Sequence, residues 1–109
     1  MIKELRMYCT SEDKMPFYDW LEGLRKLLAK ERIRARLNYL AVGRYGDCES
    51  VGDGICELKI HISPGYRVYF VEYDETIILL LLGGDKKTQK RDIRKAKNYW
   101  KLFKGSMQT

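Results

Sequence analysis

Arg67, His61, Lys86 and Lys87 are the side chains of this 109-residue chain best suited to chemistry on a polyanion. Arg67 alternates with apolar neighbours in the run Tyr66–Tyr73, so rigid strand backbone anchors it, and a planar guanidinium fork matches phosphate or carboxylate better than an ammonium does. His61 is the only histidine, and imidazole is the side-chain class that exchanges protons near neutral pH. Lys86 and Lys87 follow Gly83-Gly84-Asp85, where they are delivered to the end of a neighbouring strand and can clamp a developing phosphate charge. Each residue also has a plainer reading. Arg67 pairs across the sheet with Glu57 or Glu72, His61 is an inert surface residue, and the lysines only solubilise. Asp85 reads as a helix N-cap rather than a participant.

The elements that must position these groups follow from periodicity. Ile55–Ile62 alternates, with Cys56, Leu58, Ile60 and Ile62 on one face and Glu57, Lys59 and His61 on the other. Ser63-Pro64-Gly65 makes a tight turn, Tyr66–Tyr73 a second strand, Asp74-Glu75 a two-residue connection, and Thr76–Leu82 a third strand. In this meander Arg67 and Tyr69 share the more polar face, and a hairpin at Pro64-Gly65 gathers His61, Lys59 and Arg67 on one surface. Ile77–Leu82 is apolar on both faces, which predicts a central strand covered on both sides.

Ahead of the meander, Ile2–Cys9 reads as a first strand with Leu5, Met7 and Cys9 inward. Pro16 opens a helix whose stripe of Phe17, Trp20, Leu21, Leu24 and Leu28 runs to about Leu28. A second helix begins at Ala29 or Lys30, carries Ile33, Leu37 and Leu40, and closes at Gly43. The short connection predicts an antiparallel helical hairpin on the sheet. Arg44–Gly54, rich in glycine, reads as a loop. A basic helix spans Thr88 to about Phe103, docked through Ile93, Ala96, Tyr99, Trp100 and Phe103, and Gly105–Thr109 is expected to fray. The expected fold is therefore a single α+β domain over 1–109: strand, helical hairpin, three-strand antiparallel meander and C-terminal basic helix.

Charge is segregated. The net +6 comprises seven basic residues against one acidic between Arg25 and Arg44 and nine against two between Asp85 and Lys104, so the remainder is acidic. Such a field favours nucleic acid or an acidic protein, the plainer reading being two solvated helix faces. Three cysteines without a C-x-x-C spacing suggest neither a disulfide framework nor a zinc site. The longest apolar run, Ile77–Leu82, is far below the roughly 20 residues that cross a bilayer, and no leader precedes it, so a cytoplasmic location with no membrane is expected. No Walker loop, H-E-x-x-H, nucleophile elbow or carboxylate cluster occurs, which argues against metal-dependent phosphoryl chemistry; no cofactor is expected.

Several segments together carry a resemblance: F-Y-D-W-L at Phe17–Leu21, the basic helix Glu31–Leu40, V-G-D-G-I-C-E-L-K-I-H ending at His61, P-G-Y-R-V-Y-F at Pro64–Phe70, and G-G-D-K-K-T-Q-K-R-D-I at Gly83–Ile93. With them the chain resembles type II toxins of the RelE/HigB superfamily, in the branch of phage-derived addiction-module killer proteins. The resemblance implies two N-terminal helices on a curved antiparallel sheet, a basic groove, and a metal-independent endoribonuclease that cuts messenger RNA, often in the ribosomal A site. It also implies a helix-turn-helix antitoxin as partner. In such enzymes the ribose 2′-hydroxyl attacks its own phosphate, so the protein orients RNA, moves protons and neutralises the phosphorane. Arg67 matches the family arginine at the scissile phosphate, Lys86 and Lys87 fall where relatives place further cations, and His61 matches a histidine of the nearest branch. The RNA contacts expected beside them are Lys59, Tyr69, Lys90, Arg91 and Arg94. Two alternatives have the same fold or charge: a toxin that inhibits DNA gyrase without cutting RNA, and a non-catalytic RNA-binding module.

Overall fold

The computed structural model describes residues 2–107. In chain order it comprises β1 (Glu4–Met7), α1 (Pro16–Gly23), α2 (Leu27–Ala41), β2 (Cys48–Gly52), β3 (Ile55–Ile60), β4 (Tyr66–Tyr73), β5 (Ile77–Asp85), a single 3₁₀ turn (Lys86–Thr88) and α3 (Gln89–Met107). The strands form one five-stranded sheet in the order β1-β5-β4-β3-β2. β2 to β5 are an antiparallel meander, and β1 runs parallel to β5 at the other edge.

β5 is buried along Ile77–Gly84 because both faces of the sheet are covered. Ile78 and Leu80 join Leu58, Ile60, Val68 and Phe70 under Phe17 and Leu21 of α1 and Ile33, Leu37 and Leu40 of α2. Leu79, Leu81 and Leu82 join Ile55, Tyr69 and Val71 under Ala96 and Trp100 of α3. The result is three layers, and full removal of such side chains from water contributes about 1.5–3 kcal/mol each.

Several expectations are corrected. The sheet is mixed rather than antiparallel because β1 runs parallel to β5, and the meander has four strands rather than three because Cys48–Gly52, inside the expected loop, pairs antiparallel with β3. This edge strand buries little and shows no apolar alternation for the eye to find. The helical stripe does not reach Leu28: α1 stops at Gly23, and α2 restarts the phase at Leu27, leaving Leu28 51% exposed. Both helices pack on the sheet, α1 on β5 and α2 on β3, and are linked to each other by ion pairs from Glu22 to Arg34 (3.1 Å) and Lys30 (3.9 Å). Finally, β1 ends at Met7, so Cys9 is exposed and Tyr8 buried, the reverse of the expected alternation. Gly105–Met107, expected to fray, continue α3, while residues 108–109 lie outside the described chain.

Candidate active site

The β3–β4 hairpin places Lys59 directly across from Arg67, and on its other side Arg67 faces Gly84 of β5. Like charges opposite one another on neighbouring strands repel, so each cation has its own acid. Lys59 Nζ lies 3.0 Å from Glu49 Oε1 on the edge strand. Arg67 Nε lies 3.7 Å from Oε2 of Glu57, a carboxylate that is itself 1% exposed. The structure therefore selects Glu57, not Glu72, as the acid beside Arg67; Glu72 instead bonds Lys3 at 2.5 Å.

The pairing with Glu57 does not turn Arg67 inward. Its Nη1 donates to the Gly65 carbonyl at 3.1 Å, and among the described residues Nη2 meets no hydrogen-bond partner. The guanidinium lines an open concavity of about 490 Å³ together with Asp47, Lys59, His61, Ser63, Gly65 and Lys86. The Gly65 carbonyl also accepts from the Lys86 amide at 2.9 Å, which ties the hairpin turn to the start of the 3₁₀ turn and carries Lys86 to the rim. Asp85 caps that turn as expected, accepting from the amides of Lys87 (2.8 Å) and Thr88 (3.3 Å).

His61 stands at the exposed edge of the concavity with Nε2 2.5 Å from Asp47 Oδ2. The hydrogen bond from His61, aided by its charge and those of Lys59 and Arg36, holds the Asp47 carboxyl below its usual range against the opposing effect of burial. Asp47 is in turn fixed through the backbone. Arg36 of α2 donates to the carbonyls of Lys59 (2.5 Å), Tyr45 (3.0 Å) and Asp47 (3.5 Å), and the Lys59 amide donates to the Asp47 carbonyl at 2.9 Å. Gly46 permits this clamp, since a Cβ there would sit 2.8 Å from Arg36 Nη2 and its φ is +62°.

Residues 19–101, which span every side chain of this constellation, match the family model for the phage-derived Gp49-like protein. The chain belongs to the phage-derived Gp49-like family. An uncharacterized protein of Haemophilus influenzae is similar to it, 47% identical over 83 residues that cover 76% of this chain and 84% of that protein.

Of the residues singled out from sequence, the Gp49-like fold gathers Arg67, His61, Lys59 and Lys86 in one concavity. Lys87 is exposed on the 3₁₀ turn and is not among the lining residues. Lys90, Arg91 and Arg94 lie exposed along α3, also outside the concavity, with Arg91 Nε 3.6 Å from Asp92 Oδ1. Tyr69, expected to contact RNA, is corrected: it is 0% exposed, and its hydroxyl donates to Glu57 Oε2 at 2.9 Å. Burial, then the bond to Glu57, pushes its phenol far up. Asp47, Arg36 and Gln89 were not singled out, and Glu57 was named only as a possible partner of Arg67; their roles arise from contacts between elements distant in sequence. No helix among the described residues is long and apolar enough to cross a membrane.

Proposed function

We propose that this Gp49-like chain is a toxin of the RelE/HigB type within a type II toxin–antitoxin module, acting as a metal-independent endoribonuclease on messenger RNA in the ribosomal A site. The observation that carries the reading is the Arg67 guanidinium, held at Nε by the charge of Glu57 and at Nη1 by the Gly65 carbonyl, with Nη2 unbonded among the described residues, in the lining of a concavity that Lys86, Lys59 and His61 also line. A site rich in cations and open to solvent suits a phosphodiester.

The chemistry asked of these groups is transesterification. The 2′-hydroxyl gives up its proton as its oxygen attacks the adjacent phosphorus, the 5′-oxygen leaves and takes up a proton, and a 2′,3′-cyclic phosphate and a 5′-hydroxyl result. Arg67 and Lys86 neutralise the pentavalent phosphorane. His61, oriented through Nε2 by Asp47, has Nδ1 to exchange a proton with the RNA. Lys59 aligns the strand. Lys87, Lys90, Arg91 and Arg94 extend a positive field that draws in the ribosome-bound message. The same basic surface suits a helix-turn-helix antitoxin with an acidic or neutral toxin-binding segment.

The test is incubation of purified protein with translating ribosomes and mapping of messenger ends. New ends with wild type, reduced about 100-fold or more by Arg67→Ala, support the reading. Intact messenger beside an active nuclease control counts against it. A gyrase-directed toxin would arrest growth with Arg67→Ala unimpaired, and an RNA-binding module would leave growth unaffected.

A further inference from the structure

We propose that Glu57 is a positioning residue for Arg67, holding the guanidinium by charge from inside the sheet while leaving its outer edge open for a phosphate. This deepens the nuclease reading and rests on it. Glu57 stands across from Tyr69 on β4, two residues before Lys59 on β3. Its Oε2 accepts from the Tyr69 hydroxyl at 2.9 Å and from Nε2 of Gln89, the first residue of α3, at 2.8 Å. Those two donors occupy the oxygen nearest Arg67. Arg67 Nε, 3.7 Å away and fully buried, makes no hydrogen bond.

A buried donor left unbonded is costly, so its presence calls for an explanation. The arrangement supplies one. A bidentate pair would satisfy both the guanidinium and the carboxylate and leave little for a ligand. Here Tyr69 and Gln89 take up Oε2, the Glu57 oxygen nearest Arg67, so Glu57 fixes the cation by Coulomb attraction in a site shielded from water without hydrogen-bonding it. Lys59, the cation opposite Arg67, is drawn off by Glu49 at 3.0 Å, and Asp92, the other buried acid near this end of α3, is engaged by Thr88 at 2.5 Å. Glu57 is thus the acid within ion-pair distance of Arg67 among the described residues. Gln89 also makes the start of α3 part of the support, so movement of that helix is felt at Arg67.

The test uses Glu57→Gln in the full chain, which keeps shape and an acceptor for Tyr69 but removes the charge. Two measurements are made. ¹⁵N relaxation of the Arg67 Nε–H group, without RNA, should show an ordered side chain in wild type and a mobile one in the variant. Cleavage of messenger should show kcat lowered about 10- to 100-fold with KM little changed, as expected for misplacement of a group that acts in the transition state. In an Arg67→Ala background Glu57→Gln should lower cleavage no further, whereas a merely structural role lowers it equally in both. Equal order of the Nε–H group with and without the charge, or additive losses, overturns the proposal. If wild type cuts no RNA, the nuclease reading fails and the relaxation measurement alone decides whether Glu57 orders Arg67. Gln89→Ala, a milder change at the helix end, should shift both readouts in the same direction and by less; it serves if Glu57→Gln does not fold.

Discussion

Replacing Arg67 by alanine should damage stability and cleavage together, and a second substitution should separate them. Arg67 Nε and Glu57 Oε2 lie 3.7 Å apart, with side-chain exposures of 13% and 1%. At an effective dielectric near 20, unit charges at that spacing attract by about 4 kcal/mol, and stranding one member of a buried pair costs about 3–5 kcal/mol. Tyr69 and Gln89 continue to solvate Glu57 in Arg67→Ala, which favours the lower figure, about 3 kcal/mol. For a domain of this size that lowers Tm by about 10–20 °C. Adding Glu57→Gln removes the stranded charge while keeping an acceptor for Tyr69, so Arg67→Ala/Glu57→Gln should recover to within about 1 kcal/mol of wild type. Cleavage should stay about 100- to 1000-fold down in both, because no guanidinium faces the phosphate. Thermal and urea unfolding followed by circular dichroism, beside messenger cleavage, reads both quantities. An Arg67→Ala variant as stable as wild type, or a double variant less stable than the single one, would refute the electrostatic argument.

Three further outcomes are expected. Gly84→Ala would put a Cβ 1.9 Å from Asp92 Oδ2 and 3.0 Å from Thr88 Oγ1, so α3 must lift off β5; a loss of about 1–3 kcal/mol in urea unfolding should result. Burial acts to raise the Glu72 carboxyl, but hydrogen bonds from Lys3 and Tyr45 overcome it and leave the group lowered. Its stabilisation is therefore fully present above the unfolded carboxylate pKa of about 4.3 and lost as pH falls through the depressed folded value, and Lys3→Met should flatten that acid limb of the stability–pH curve. Burial foremost, with the neighbouring Cys56, pushes the Cys48 thiol up to about 12, so at pH 8 it stays a thiol. Mass spectrometry after brief iodoacetamide treatment should find exposed Cys9 alkylated and Cys48 spared.

The central hairpins could be read from residue order because their signals are local. Asp74 and Glu75 both take positive φ in a two-residue turn, the alternation of β3 and β4 sets their inward faces, and the doubly apolar β5 could only lie between two covering layers. Asp85 as a cap needs only its neighbours two and three residues on. What escaped was set by distant partners. The face of β3 and β4 that carries Glu57 and Tyr69 was read as the more polar one, with Tyr69 as an RNA contact, yet α3 packs against part of it, Glu57 and Tyr69 are buried, and the Tyr69 hydroxyl bonds Glu57. The clamp of Arg36 on the Asp47 loop joins residues 11 apart through carbonyls, a contact without a side-chain signature. β2 was missed because an edge strand with exposed Glu49 and Ser50 has little apolar pattern to show. Of the alternative readings for Arg67, the ion pair is present, with Nε 3.7 Å from Glu57, and the same side chain lines the concavity that the phosphate reading requires.

The most direct measurement of the nuclease reading is cleavage of a ribosome-bound messenger carrying a single 2′-deoxynucleotide at the mapped site, with a chelator of divalent metals present throughout. Wild type should cut the all-ribose messenger in chelator, leave a 2′,3′-cyclic phosphate, and fail at the deoxy position. Cleavage that passes through the deoxy substitution, or that stops when divalent ions are removed, would contradict attack by the neighbouring hydroxyl in the Arg67 concavity.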